Sequence, residues 1–331
     1  MNGNKTKNFS LSFTVKNKRL VGYIAAIGLV ILLLLPQIVN SYILHVMITI
    51  FLFSVMSASL NLVVGYCGQL SFAHGAFASI GAYTGALLML KTGLSFWGSL
   101  IASALIAALF GLILGLPTLR IKGDYLCLVT LGFGEIIRLA LLNWSSLTRG
   151  PLGLSGIPTP SFLGYSLSGR LPFYYLTLLF LLITIILIRR LVSSGIGLSM
   201  QSVCCDEIAA ESIGIRPIKY KLMAFVISAA FAGMVGCIYG SYIGFINPDT
   251  YVYNDSLTTF AMVTLGGAGS IVGPIIGAVL LSALPEVLRA INEYRLIIYG
   301  ALIVVMMIFR PDGFWGIKRR QHNVYKRLAG R

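Results

Sequence analysis

Three of the chain's ten acidic residues lie close together, at Asp206, Glu207 and Glu211. With their neighbours they predict a short helix over residues 206–214. Asp206 can cap the N-terminus of this helix, and the acids suit the positive end of its dipole. Gly214 fits the position after a helix C-terminus, where a left-handed backbone is common.

The same helix also carries apolar residues. Ile208 and Ile213 bracket Ala209 and Ala210, which gives the helix one small, apolar face. A short helix of this kind can dock into a groove on a partner protein. The alternative is an ordinary solvated helix within a loop.

No motif for enzymatic chemistry accompanies the acidic helix. The chain has no GxSxG turn, no HExxH pair and no GxxxxGK[ST] loop. The five cysteines contain no CxxC pair, so neither a zinc site nor a disulfide framework is predicted. We therefore expect no enzyme, no metal and no cofactor in this chain. ATP-driven transport would need another subunit to hydrolyse the ATP.

The composition excludes a soluble domain. Of 331 residues, 57% are hydrophobic and 11% are charged, and the mean hydropathy is +0.89. These values predict an all-α, polytopic helical membrane protein whose membrane domain covers residues 21–309. The expected apolar segments are 21–39, 43–64, 70–90, 96–116, 125–142, 172–188, 222–243, 257–268, 271–288 and 296–309. Segment 257–268 is too short to cross a ~30 Å hydrocarbon core, so we expect about eight to ten spans with broken or short helices.

The basic residues indicate how the chain is oriented in the membrane. Most of them fall in the N-terminal region 1–20, the short loop at Arg120 and Lys122, the loop 189–221 and the tail 310–331. Cytoplasmic parts of membrane proteins carry such an excess of Lys and Arg. Both termini and the loop 189–221 are therefore predicted to be cytosolic. The same distribution accounts for the net charge of +15 of a protein that lies in the lipid bilayer. The charge therefore does not indicate a nucleic-acid partner.

Two glycine-rich stretches interrupt the apolar segments. Residues 65–75 are here called the first interruption and residues 265–274 the second interruption. Interrupted helices are tolerated in a membrane only where they pack against protein or line a cavity, and transporters place substrate sites there. The residues assigned to a candidate translocation path are Gln69, Ser71, His74, Gly75, Gly266, Gly267, Gly269 and Ser270. The alternative is simple close packing of helices, because glycines also recur every four residues, as at Gly236, Gly240 and Gly244.

A few ionisable side chains lie within the apolar segments. Glu135 and Arg138 are three residues apart, as are Glu286 and Arg289, so each pair could meet on one helix face. We interpret both as structural ion pairs. His74 could titrate or bind substrate, or it could simply hydrogen-bond a neighbour. The sequence contains no serial relay of Asp, Glu and His of the kind that proton pumps use.

Several long stretches carry a resemblance to a known family. They are GYCGQLSFAHGAFASIGAY (65–83), GDYLCLVTLGFGEIIRLALLNWSSLTRGPLGLSGIP (123–158), DEIAAESIGI (206–215), KLMAFVISAAFAGMVG (221–236), VTLGGAGSIVGPIIGA (263–278) and EYRLIIYGALIVVMMIFRPDGFWG (293–316). On these stretches the chain resembles the permease subunits of branched-chain amino acid ABC transporters, specifically the longer of the two permeases. The resemblance covers about residues 40–316.

The resemblance implies both partners and a role for the acidic helix. In that family the matching segment is the coupling helix that inserts into a cytosolic ATPase subunit. The residues assigned to this contact are Asp206, Glu207, Ile208, Ala209, Ala210, Glu211 and Gly214. The implied partners are a sister permease, ATPase subunits that bind ATP and magnesium, and an extracytoplasmic substrate-binding protein, all at a bacterial inner membrane. One departure is Cys204-Cys205, which replaces the basic and acidic pair usual in the family and removes that route to a salt bridge with the ATPase.

Three other functions are the alternatives to this interpretation. The closest is an ABC permease for urea or short amides, because such relatives share this fold and the binding protein largely sets specificity. An ion-coupled secondary transporter would need an ion or proton site. A membrane-embedded enzyme would need the catalytic residues that the chain lacks.

Overall fold

The computed structural model describes residues 28, 30–118, 121, 124–162, 165–167, 169–250, 253–287, 300, 304, 313 and 314. The N-terminal region 1–20 lies outside the described residues, as do most of the last predicted segment 296–309 and most of the tail 310–331. Of the first predicted segment, residues 30–34 are helical and lead into a 3-10 turn at Leu35–Gln37. The domain boundaries near residues 20 and 310 therefore stay predictions.

Helices make up most of the described structure. In chain order they are α1 Ser41–Asn61, α2 His74–Leu87, α3 Phe96–Thr118, α4 Asp124–Asn143, α5 Ser145–Thr148, α6 Arg170–Ser193, α7 Gly195–Cys205, α8 Glu207–Ser212, α9 Pro217–Ile243, α10 Tyr253–Gly266 and α11 Val272–Val287. Two of them continue into π-helical turns, Leu62–Tyr66 after α1 and Leu88–Thr92 after α2. The strands β1 Leu154–Ser155, β2 Ser161–Phe162, β3 Tyr165–Ser166 and β4 Phe245–Ile246 form two antiparallel pairs, β1 with β4 and β2 with β3.

Among the described residues, five helical segments are long and apolar enough to cross a membrane. They are Ser41–Tyr66, Phe96–Pro117, Tyr125–Asn143, Arg170–Ser193 and Pro217–Ile243. Shorter helices accompany them, since α2 and α10 have 14 residues each and α11 has 16. This combination confirms the predicted all-α, polytopic membrane fold with short and broken helices.

Helix α9 occupies the centre of the packing, with α3, α2 and α1 against it. Glycines allow this close approach. A Cβ atom on Gly81 of α2 would overlap the backbone of Gly233 in α9, and a Cβ atom on Gly236 would overlap the backbone of Ala78. The prediction that regularly spaced glycines bring helices together is confirmed at these crossings.

Several predicted segments have different ends in the structure; segment 222–243, for example, already begins at Pro217, and segment 257–268 lies at Tyr253–Gly266. Segment 70–90 becomes helical only at His74, because the chain leaves the π turn after α1 through Gly68, whose φ of +69° is incompatible with a continuing right-handed helix. Segment 172–188 is extended at both ends into α6. Its basic residues, Arg189 and Arg190, can sit on the last turn because long cationic side chains reach from an apolar helix to water.

Candidate functional site

Helix α8 is capped at both ends. The Asp206 carboxylate accepts hydrogen bonds from the backbone N–H groups of Ile208 and Ala209, at 3.0 and 3.1 Å. At the other end, the N–H of Gly214 donates to the Glu211 carbonyl and the N–H of Ile215 to the Ala210 carbonyl. With a φ of +85° at Gly214, this is a Schellman ending. The predicted short helix and both of its caps are confirmed, and these caps hold a helix of only six residues in place.

The outer side of α8 is apolar and uncovered. Ile208 and Ile213 are each 74% exposed, and Ala209 is exposed between them, whereas Ala210 packs inward at 2% exposure. An open depression of about 830 Å³ continues this surface along Glu211 and the chain that leads into α9. Large aliphatic side chains held in the open on a capped helix are typical of a protein contact surface.

Glu207 is turned away from this surface. Its carboxylate accepts a 2.8 Å hydrogen bond from the Nζ of Lys221, near the start of α9. The Lys221 side chain is only 5% exposed, so its charge depends on this partner. The ion pair fastens α8 to the central helix. Sequence reasoning missed Lys221, although a lone lysine near the start of an apolar helix is a signal for such a partner.

The neighbouring cysteines also reach the membrane helices. The Cys204 thiol at the end of α7 lies 3.8 Å from the carbonyl of Gly65, and the Cys67 thiol lies 3.9 Å from the carbonyl of Tyr220, beside Lys221. Both elements that flank α8 therefore touch the start of the first interruption. Cys204 therefore makes an internal contact in this chain.

The second interruption is held by one asparagine. Asn61, the last residue of α1, is 1% exposed. Its Oδ1 accepts from the N–H of Gly269 at 2.8 Å, and its Nδ2 donates to the carbonyl of Ser270 at 2.7 Å. Sequence reasoning missed Asn61. Its signal is an amide side chain at the end of an apolar run, four residues before the first glycine of the interruption.

The backbone of the second interruption turns sharply between α10 and α11. Gly267 and Gly269 have φ values of +116° and +83°, a region that favours glycine. The Ser270 hydroxyl donates to the carbonyl of Gly267 at 3.0 Å and accepts from the N–H of Gly273 at 2.9 Å. Gly266 is buried, and a Cβ atom there would overlap the backbone of Gly273. The predicted break in the helix is confirmed.

The two interruptions lie against each other. A Cβ atom on Gly65 would overlap the backbone nitrogen of Gly269, and the N–H of Gly75 donates to the Ser256 hydroxyl, near the start of α10, at 2.9 Å. Helix α10 thus contacts the first interruption near its start and leads into the second. The structure brings the predicted path residues of the two halves of the chain into one region.

The other predicted path residues of the first interruption differ in their surroundings. The Gln69 N–H donates to the carbonyl of Val63 at 3.0 Å, and buried Ser71 accepts from the N–H of Ala73 at 3.4 Å. His74 is 1% exposed and packs its ring edge against Phe77. Neither of its ring nitrogens has a hydrogen-bond partner among the described residues, so the expected bond to a neighbour is not found.

The predicted pair Glu135–Arg138 is confirmed at 2.6 Å, and Arg138 also binds Asp249 at 2.9 Å. Asp249 follows α9, so this arginine ties α4 to the loop beyond the central helix. A cavity of about 300 Å³ lies beside it, lined in part by Phe72 and Ala76. Glu286 accepts a hydrogen bond from the Tyr42 hydroxyl, and its predicted partner Arg289 lies outside the described residues.

Within the described part of the chain, no group of three or more His, Cys, Asp or Glu side chains could hold a metal ion. The described site consists of an exposed, capped helix that an ion pair joins to a core of interrupted membrane helices. Broken helices of this kind in a polytopic membrane protein are typical of transporters.

Comparison with known proteins identifies the family. Residues 42–307 match the family described as branched-chain amino acid transport system / permease component. The chain belongs to this family. It is 40% identical over 293 residues to the high-affinity branched-chain amino acid transport system permease protein LivM of Salmonella typhimurium, covering 82% of this chain and 69% of that protein. LivM of Escherichia coli K12 matches with the same identity and coverage.

A more distant relative is the permease protein LivH of Salmonella typhimurium, 26% identical over 288 residues, covering 80% of this chain and 91% of that protein. The chain is thus more similar to LivM, as its sequence motifs predict. No solved structure shows significant similarity to the chain.

Proposed function

We propose that the chain is a permease subunit of an ATP-driven importer for branched-chain amino acids. It works with a sister permease, with cytosolic ATPase subunits that bind ATP and magnesium, and with an extracytoplasmic substrate-binding protein. It lies in a bacterial inner membrane with both termini in the cytoplasm. The likeness to LivM and LivH supports the substrate class and the pairing of two permeases.

The observation that carries the coupling role is the exposed isoleucine pair on α8. Ile208 and Ile213 are 74% exposed on a helix that is capped at both ends and bound to the central helix by Glu207 and Lys221. A groove on the ATPase would cover both side chains, and burial of large aliphatic groups provides most of the favourable free energy of such contacts. The ion pair would carry the movement of α8 into α9.

From α8 the proposed route continues through residues in direct contact. Cys204 contacts the carbonyl of Gly65 in the first interruption, and Asn61 binds Gly269 and Ser270 in the second. Helix α10, which leads into the second interruption, packs against α1. ATP binding that closes the ATPase dimer would move α8, and the interruptions would then open towards one side of the membrane or the other. The residues at these breaks would adopt two discrete arrangements, one open to each side of the membrane. The change between the two would provide alternating access.

The docking role is tested by replacing Ile213 with Asp in tagged protein that is purified from mild-detergent membranes. The charge should prevent burial against the ATPase, so a P-loop ATPase that copurifies with the unaltered protein should be lost, while the second permease stays bound. Leu152, which is 80% exposed and lies beyond the far end of α4, provides the matched control. Leu152→Asp should retain the ATPase. Equal retention by both variants would contradict the proposal.

A further inference from the structure

A cavity of about 210 Å³ lies between α1, α9 and the start of α10. Its apolar wall consists of Leu52, Phe53 and Met56 of α1 and Val235 of α9. The carboxylate of Asp255, in the first turn of α10, faces the same space. The cavity is smaller than typical sites for drug-sized ligands, which start at about 300 Å³, and its size therefore suits a small metabolite.

Among the described residues, Asp255 differs from the other acids of this region in having no ion-pair or hydrogen-bond partner for its side chain. Glu135 and Asp249 bind Arg138, and Glu207 binds Lys221. The structure gives the Asp255 side chain no salt bridge and no hydrogen bond within the described residues. A carboxylate among apolar side chains is costly unless it is paired. A cationic ligand would provide the missing partner.

The hydroxyl groups of the cavity also suit a hydrogen-bond donor. The Thr49 hydroxyl donates to the carbonyl of His45 at 3.1 Å. The Thr250 hydroxyl donates to Asn247 Oδ1 at 2.6 Å and accepts from the N–H of Asn247 at 2.9 Å. Each oxygen keeps a lone pair that can accept a hydrogen bond. An ammonium group has three donors and no acceptor, so it matches the carboxylate and these two hydroxyls.

The apolar wall distinguishes an organic ammonium from an inorganic cation. Four aliphatic or aromatic side chains face a single carboxylate, and a bare metal ion gains nothing from contact with them. A branched aliphatic side chain does, because its contact with the wall removes apolar surface from water. The cavity therefore combines the two features by which a zwitterionic, branched-chain amino acid differs from a salt ion.

The cavity lies where a substrate would bind before the two interruptions open. Tyr239, which lines it, is 22 residues along α9 from Pro217, a distance of about 33 Å from the α8 side at 1.5 Å per residue. Met56 lies on α1 a little over one turn before Asn61, which holds the second interruption. A ligand here contacts both α1 and α10, the helices that meet at the breaks.

We propose that Asp255 binds the α-ammonium group of the transported amino acid, whose branched side chain packs against Leu52, Phe53 and Val235. The proposal rests on the proposed function and gives it a substrate site. Because the cavity is near the end of α9 that is remote from α8, it receives the substrate on the side where the binding protein delivers it.

The test uses the whole transporter complex in proteoliposomes with photo-leucine, a diazirine analogue of leucine, supplied on the binding protein. After irradiation, labelled peptides are mapped by mass spectrometry. We expect labels on peptides of α1 and α9 that contain the cavity residues. Asp255→Asn should lower this labelling at least tenfold at unchanged assembly of the complex. Glu135→Gln, which removes an ion-paired carboxylate on α4, should leave it within twofold.

A second variant keeps the test informative if Asp255→Asn fails to assemble. Thr49→Val preserves shape, removes one acceptor for the ammonium group and should lower labelling about fivefold. Labels outside this cavity, or labelling that neither variant reduces, would contradict the proposed substrate site. If ATP-driven uptake persists in that case, the proposed function stands without this site. A third outcome is uptake that requires sodium in the unaltered complex but not in Asp255→Asn, with labelling unchanged. That result would assign Asp255 to an inorganic cation and would also contradict the proposed substrate site. Failure of the unaltered complex to import leucine would overturn the proposed function and the site together.

Discussion

The Nζ atom of Lys221 lies 2.8 Å from a carboxylate oxygen of Glu207, and this ion pair joins α8 to the central helix α9. The lysine side chain is 5% exposed and the glutamate side chain 29%. The pair therefore links an exposed docking surface to the helix against which α1, α2 and α3 pack. A movement of α8 cannot leave α9 unaffected without breaking this contact.

Glu207→Gln should damage coupling more than Lys221→Met. The first change leaves a buried ammonium group without its partner, at a cost of about 3 kcal/mol, whereas the second leaves a partly solvated carboxylate. We expect uptake per ATP hydrolysed to fall about tenfold in Glu207→Gln. The double variant should recover part of the loss, because it has no unpaired charge. Losses that simply add in the double variant would show that the two side chains do not act together.

Asn61→Leu should stop transport without preventing assembly. The change keeps the side-chain volume but leaves the N–H of Gly269 and the carbonyl of Ser270 without partners, at about 1–3 kcal/mol each. The second interruption would then lose its fixed position against α1. Asn143→Leu is the control, because among the described residues this exposed amide bonds within α4, to the carbonyl of Leu139. Uptake in proteoliposomes measures the effect, and equal rates in the two variants would refute the role of Asn61.

Gly65→Ala should be as harmful as the loss of Asn61. An added methyl group would overlap both the Gly269 backbone and the Asn61 side chain, so the two interruptions could not stay in contact. Gly195→Ala offers a matched comparison, since no atom lies within 4 Å of a Cβ there. We expect the first variant to lose uptake and to melt at a lower temperature, and the second to behave like the unaltered protein. Unchanged melting of Gly65→Ala would mean that the contact is not tight.

Cysteine labelling tests the sidedness of α8. Cys205 is exposed beside α8, whereas burial raises the pKa of the Cys67 thiol to about 12 and leaves it 2% exposed. A membrane-impermeant maleimide should modify Cys205 in inside-out vesicles stripped of the ATPase. It should not modify Cys67 even at pH 9, because the thiol stays protonated well below its pKa. Modification of Cys205 in right-side-out vesicles instead would reverse the proposed orientation.

The sequence predicted most of the helices because lipid demands long apolar segments and because glycine and proline disrupt them. The short helix at α8 was also predictable, since Asp206 and Gly214 are strong local signals for its two ends. The partners across the fold were not. Lys221 and Asn61 pair with residues 14 and more than 200 positions away, and such contacts depend on how helices pack. The ion pair of Glu207 was not predictable for the same reason, because its partner Lys221 comes from the next helix.

Asp255 also could not be identified as a site residue from local sequence patterns. As one acid near the start of a short apolar segment, it resembles an ordinary first-turn residue that suits a helix dipole. Its significance arises from Leu52, Phe53 and Val235, which come from distant parts of the chain and make its surroundings apolar. Periodicity and spacing carry no information about this contact.

The most direct test of the account is a photo-crosslinker at Ile213. The residue would be replaced by benzoylphenylalanine in cells that express the whole transporter, and the captured protein would be identified by mass spectrometry. We predict capture of a P-loop ATPase, with no such product from the same crosslinker at Leu152. Capture of lipid or of no protein at Ile213, in cells whose leucine uptake still requires ATP, would contradict the claim that α8 is the contact through which ATP hydrolysis drives transport.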